Sequence, residues 1–303
     1  MSPYIHSQGL NFYAQFLEVR RRLAEVTASY WVDLEIYNWL NQAQQDIAMK
    51  ARCLKKAVTV TTTSGTQEYD LKTSTNAFQD IIDISEDGVS FKIGGTSWDT
   101  LKYTTKAQLN IDQPNWRSAS SGTPMNYYYD KSSKTIGLYP KPNASNAGAY
   151  LLIEGIYMPR ILNAGLASAG DGTTLTLATG STTQPYGSTV DDYYNDLYME
   201  LYSGIGIGER AKITDYVGST KVCTVDFTTT PTTASYYGMV SELPEESHPL
   251  MILYTLGRAW AKGGIRSQLG QLFMQQYFQE LAQFISDYED TDDDMIIKDA
   301  YRS

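Results

Sequence analysis

Cysteine and histidine are nearly absent from this chain of 303 residues, which has two of each. Cys53 and Cys223 stand far apart, so neither a disulfide framework nor a cysteine-based metal site is indicated, and both read as small buried apolar residues. His6 and His248 are the sole histidines and neither has a recognisable partner motif, which leaves a hydrolase without an identifiable base; they read as surface or capping histidines. Cations are scarce as well: 24 Lys and Arg stand against 34 Asp and Glu, for a net charge of -10. Duplex binding needs clustered cations that displace counterions, so DNA is not expected as a specific ligand. There is no apolar run long enough to cross a bilayer, and residues 1–10 lack the basic and apolar stretches of a secretory signal. Neither a membrane span nor export by that route is expected.

What is present is a layered pattern. Hydrophobic residues make up 42% of the chain, enough for a sizeable core, and 24 Tyr against 8 Phe supply rings that tolerate partial hydration, as protein interfaces and polar sheet surfaces do. Phe12, Phe16, Val19, Leu23 and Val26 advance by four and three, one stripe of an α-helix, with Arg20, Arg21 and Arg22 expected mostly to face elsewhere. A second helix, capped by Asp33, carries Ile36, Leu40, Ala43, Ile47, Ala51 and Leu54 and ends in a basic turn at Lys55 and Lys56. Near the other end, Pro244-Glu245-Glu246 opens a helix striped by Leu250, Leu253, Gly257 and Trp260. Ser267 then caps a last helix carrying Leu269, Phe273, Tyr277, Leu281, Phe284 and Tyr288.

Between these ends the period changes to two. Residues 57–63 are β-branched and are followed by Ser64-Gly65-Thr66 and residues 67–71, which predicts a hairpin. Further strands are predicted at 80–84, 88–93, 125–130, 135–139 and 149–157, with turns at Gly94-Gly95 and Lys131-Ser132-Ser133 and a short helix at 104–110. From 163 the composition shifts: 165–172 reads as a small-residue linker, 173–177 alternates Thr and Leu, and Cys223, Val225 and Phe227 share one face of a later strand. The expected fold class is α+β: a helical bundle formed by N- and C-terminal helices, with a central β region and an inserted small β domain. The expected boundaries are 1–56 and 243–290 for the bundle helices, 57–162 for the β region, 163–242 for the insert, and 291–303 for a mobile tail.

Candidate chemistry is thin. Gly204-Ile205-Gly206-Ile207-Gly208 lacks the Lys-Ser/Thr ending of a P-loop and the spacing of a dinucleotide loop, and reads as a turn or bulge between strands. The acids among residues 287–294 lack the alternating ligands, central Gly and terminal Glu of a calcium loop and read as a solvated tail. Met295-Ile296-Ile297 is an apolar island in that tail, suited either to a groove on another protein or to packing back on the chain's own helices. Tyr193, Tyr194, Tyr236 and Tyr237 form a candidate contact surface on the insert. With Asp191 and Asp192 they make an aromatic, sugar-binding patch one reading and aromatic strand packing the other. No catalytic residue, cofactor or metal ligand is assigned, and the chain is not expected to be an enzyme.

Gly65-Thr66-Gln67-Glu68-Tyr69-Asp70-Leu71, Asn115-Trp116-Arg117, Gly122-Thr123-Pro124 and residues 135–142, in that order, resemble the head-to-tail adaptor (connector) proteins of tailed bacteriophages. Residues 39–48 and 243–262 are similar to the same family, so the likeness covers most of the chain outside 163–242. The resemblance implies a structural virion protein that joins the capsid portal to the tail and takes part in genome ejection. It implies a homo-oligomeric ring, a dodecamer by family habit, around a channel that DNA passes without specific binding. It implies portal and tail nozzle or tail-tube proteins as partners, no membrane, and assembly in the host cytoplasm. By analogy Met295, Ile296, Ile297 and Tyr301 are expected to dock on the portal. The long 165–241 stretch departs from the simplest members and is a candidate contact for fibre or decoration proteins. The competing expectation is a tail-associated protein that binds glycan or cleaves cell-wall glycan.

Overall fold

The computed structural model describes residues 10–25, 27–72, 80–93, 97–146, 148–181, 183–262 and 267–300, with the side chains of 86, 93, 267 and 289–300 left out. The described residues form a mixed α+β structure with five α-helices and three sheets. The helices are α1 (Phe12–Arg22), α2 (Asp33–Ala51), α3 (Lys106–Asp112), α4 (His248–Lys262) and α5 (Ser267–Ala300). The strands of the first half are β1 (Lys55–Thr61), β2 (Glu68–Asp70), β3 (Ile81–Ile93), β4 (Ser97–Thr100), β5 (Lys102–Tyr103), β6 (Asn126–Asp130), β7 (Thr135–Tyr139) and β8 (Tyr150–Tyr157). Those of the second are β9 (Ala164–Leu166), β10 (Ala169–Gly170), β11 (Thr174–Thr176), β12 (Tyr198–Ser203), β13 (Arg210–Val217), β14 (Val222–Val225) and β15 (Tyr236–Met239). Chain contacts divide the molecule into two compact units, Leu54–Met158 and the combination of Met1–Cys53 with Pro159–Ser303. The strands between 163 and 242 therefore share a unit with α1, α2, α4 and α5.

The Leu54–Met158 unit holds two four-stranded sheets, ordered β1-β8-β3-β4 and β2-β7-β6-β5. Inward residues of both, among them Val60, Tyr69, Phe91, Tyr127, Leu138, Leu151 and Ile153, make one core. The expected hairpin over 57–71 is not formed. β1 pairs with β8, Lys55 opposite Ile156 through Thr61 opposite Tyr150, while β2 pairs with β7. The Gly65 N–H donates to Pro142 O at 2.8 Å, so the turn hands the chain from one sheet to the other. The two strands expected at 80–84 and 88–93 are one, β3, whose register against β8 shifts between Ile84 and Val89 where Asp87 takes φ 52°. The expected Gly94-Gly95 turn lies outside the described residues. The β6–β7 hairpin forms across Lys131-Ser132-Ser133 as expected, Asn126 facing Tyr139.

In the other unit, α1 starts where the Asn11 side chain accepts from the Ala14 N–H at 2.9 Å, and Phe12, Phe16 and Val19 are buried at the expected spacing. Val26, the last residue of that stripe, lies outside the described residues. One arginine departs from expectation: Arg20 is 3% exposed. Its guanidinium donates to Glu25, Asp33 and the Trp31 carbonyl, since burying a charge is costly unless it is paired. Val32, rather than Asp33, precedes α2, and its N–H donates to the Glu35 carboxylate at 3.2 Å. The helix stops at Arg52 in the left-handed region, φ 51°, so Lys55 and Lys56 belong to β1 and not to a last helical turn.

A seven-stranded sheet, β10-β11-β14-β13-β12-β15-β9, carries Leu175, Met199, Ile213, Cys223, Val225, Tyr237 and Met239 into its core. The expected linker at 165–172 supplies β9 and β10, since Ala164, Gly165 and Leu166 pair with β15. A turn of 3₁₀ helix at Glu245–Ser247 leads into α4, with Pro249 in its first turn, where its missing N–H has no helical acceptor to lose. α4 meets α5 backbone to backbone at Gly270: a Cβ there would lie 2.8 Å from Ala261 N and 3.0 Å from Gly257 O. On α5, Tyr277 and Leu281 are buried, whereas Leu269 is exposed. The backbone of residues 291–300, expected as a tail, continues α5 to Ala300.

Candidate functional site

Among the described residues the histidine and both cysteines are buried. His248, the first residue of α4, is buried, and its Nε2 lies 3.3 Å from the Leu243 carbonyl. Burial lowers its pKa to about 4; the Leu243 contact opposes that and the charge of Arg210 adds to it, so the ring is neutral at pH 7. His6 lies outside the described residues. Cys53 and Cys223 are buried and form no disulfide, and burial pushes the Cys223 thiol far up, which makes it a poor nucleophile. Among the described residues no cluster of His, Cys, Asp and Glu could hold a metal ion, and no helix is long and apolar enough to cross a membrane.

The glycine run 204–208 is the turn between β12 and β13. Gly204, Gly206 and Gly208 take φ between 81° and 87°, and the chain leaves into a strand, so no helix N-terminus stands behind it to receive a phosphate. The next residue, Glu209, braces the turn by accepting from the Thr228 and Thr229 N–H groups and the Thr229 hydroxyl, bonds that hold its carboxyl below the usual carboxylate range.

The four tyrosines proposed as a contact surface separate into two kinds. Tyr194 and Tyr237 are 1% and 0% exposed and offer no surface. The Tyr194 hydroxyl accepts from the Ser188 N–H at 3.1 Å, and the Tyr237 hydroxyl accepts from the Ala178 N–H and donates to Asn163. Burial raises the pKa of both rings. Successive side chains on β15 point to opposite faces, so Tyr237 enters the core while Tyr236 turns toward α1, which a Tyr-Tyr pair in sequence cannot reveal by itself. Tyr193 and Tyr236 are half-buried. Tyr193 accepts from the Ile161 N–H at 3.0 Å, and Tyr236 packs 5.1 Å from Tyr13 of α1, whose ring also meets Tyr202 at 5.2 Å. The sugar-binding patch thus loses half its rings to the core. The signal missed in the sequence was Tyr13, which ties α1 to the sheet together with Asn11, whose amide donates to the Glu200 carboxylate at 2.9 Å.

Met295, Ile296 and Ile297 lie on the backbone of α5 with side chains outside the described set, and Tyr301 lies outside the described residues.

A family model described as SU10 adaptor protein matches residues 13–203, well over half of the chain. The chain therefore belongs to the SU10 adaptor protein family, consistent with a bacteriophage head-to-tail adaptor. The match runs from α1 through the whole Leu54–Met158 unit to the end of β12. No curated protein matches the chain.

Proposed function

We propose that this chain is a structural head-to-tail adaptor of a tailed-phage virion, assembled as a homo-oligomeric ring, a dodecamer, between the portal and the tail proteins. The observation that carries the reading is the adaptor family match over 13–203. In this reading α1, α2, α4 and α5 form the bundle of the ring body. Two contacts support it: Trp31, in the loop before α2, donates its indole N–H to Ala259 O of α4 at 2.8 Å, and the Tyr277 hydroxyl of α5 donates to Asp46 of α2 at 2.6 Å. The net charge of -10 suits a channel wall that DNA passes without sticking. Met295, Ile296, Ile297 and Tyr301, at the far end of the chain, dock on the portal. The protein acts without catalysis, resides in the phage neck, is assembled in the host cytoplasm, and turns its seven-stranded sheet to fibre or decoration proteins.

The test is sedimentation of the purified chain with and without the cognate portal ring, because assembly reads directly as a change of mass. A large portal-dependent species is expected, and removal of residues 295–303 should abolish it. A chain that ignores the portal contradicts the reading.

A further inference from the structure

α5 has two sides with different surroundings. Its inner side is closed by α4 at Gly270 and by Asp46 at Tyr277. Its outer side holds a shallow groove lined by Gln271, Met274, Gln275, Phe278, Gln279 and Ala282, bordered where Met274 reaches α4: a Cβ at Gly257 would lie 2.6 Å from the Met274 Sδ. At 3.6 residues per turn these positions fall in one strip, flanked by Leu272. Phe278 is 50% exposed and Leu272 58%. The strip is also free of charge: from residue 267 through 286 the sole charged residue is Glu280. A helix facing water ordinarily carries charges, as α2 does with Asp33, Glu35, Asp46 and Lys50. Loss of charge with retention of aromatic and Met side chains is the composition of an interface core.

The net charge of the whole chain says which partner fits. Each copy carries -10, so two copies repel over most approaches, and only a neutral strip lets a like-charged copy come close without burying like charges. Lys50 adds a cation at the border, its ammonium 4.8 Å from the Phe278 ring centroid. We propose that the outer strip of α5, centred on Gln275 and Phe278 with Leu272 at its flank, is the surface by which one copy of this chain binds the next. The inference rests on the ring reading and specifies its contact. In a ring of more than two copies the strip meets a different patch of its neighbour, a heterologous contact that closes by rotation.

Sedimentation of the full chain over rising concentration, alone and with the portal ring, tests it for the wild type, Phe278→Glu and the double variant Gln275→Glu with Gln279→Glu. The glutamine sites are exposed and polar, so the double variant keeps its fold even if Phe278→Glu does not. Both variants should need about tenfold or more protein to assemble, with the melting transition of the double variant unchanged. Variants that assemble like the wild type overturn the inference and leave the ring reading standing. Variants that self-assemble normally but lose the portal make the portal the occupant of the strip, and overturn it too. A wild type that stays monomeric in both arms removes the ring reading and this inference with it.

Discussion

α4 and α5 are neighbours in the chain, yet one is enclosed and the other is not. In α4, Leu250, Met251, Ile252, Leu253, Leu256, Ala259 and Trp260 are all buried, so apolar residues on every side of the helix have partners within the chain. In α5 Tyr277 and Leu281 are buried while Leu269, Leu272 and Phe278 face outward. A helix that is apolar all round belongs in a core, and one whose outer face is uncharged but uncovered is completed by another molecule. The difference between the two helices separates what holds the monomer together from what would hold an assembly together.

The largest effect belongs inside the enclosed helix. Leu256 is 0% exposed. Leu256→Ala should lower unfolding stability by about 3–4 kcal/mol, read from urea midpoints, through lost burial plus the cavity left behind. A loss below about 1 kcal/mol would mean α4 is less enclosed than described.

Next is the brace beside it. Arg20 holds the Trp31 carbonyl, and the Trp31 ring stacks edge-on with Trp260 of α4 at 5.1 Å. Arg20→Ala leaves Asp33 and the Trp31 carbonyl without their cation and Glu25 with backbone N–H donors, those of Tyr30 and Trp31 among them, and should cost about 3 kcal/mol. Arg21→Ala, in the same basic triplet but 74% exposed and paired only with Glu18 on its own helix, should leave the midpoint nearly unchanged.

The start of α4 sets a pH dependence. Because His248 has a folded pKa near 4 against an ordinary 6.5, the folded state binds the proton less well than the unfolded state. Its stabilising contribution is complete above pH 6.5 and is lost as pH falls through the window from 6.5 to about 4. The loss should reach roughly 2–3 kcal/mol, seen as the difference between wild-type and His248→Gln stability profiles. Parallel profiles for the two proteins would assign the acid sensitivity to other groups.

The smallest folding effect is on the open helix. Leu272→Ala should change monomer stability by less than about 0.5 kcal/mol while weakening assembly. A large loss of monomer stability would show that the outer face is already packed within the chain.

Sequence reading served best where a period could be counted. Phe12, Phe16 and Val19, the Ile36 to Ile47 series, and Cys223, Val225 and Phe227 are all buried as their spacing required. It failed where partners are distant. β1 pairs with β8, about ninety residues on, and nothing local distinguishes that from a hairpin with the next strand. Arg20 could not be told from Arg21 and Arg22 because its partners, the Trp31 carbonyl and Asp33, come from the following loop and helix. Tyr194 and Tyr237 looked like surface because the strands that bury them could not be registered. The strip on α5 was legible in principle, as the uncharged stretch around Glu280, but the inner stripe through Tyr277 and Leu281 drew the reading first.

The most direct test is hydroxyl-radical footprinting of Met274 and Phe278 before and after assembly with the portal ring, with the buried side chains of α4 as the internal reference. Strong protection of both residues on assembly, with α4 unchanged, is the predicted result. Unchanged oxidation at Met274 and Phe278 in the assembled state would contradict the account.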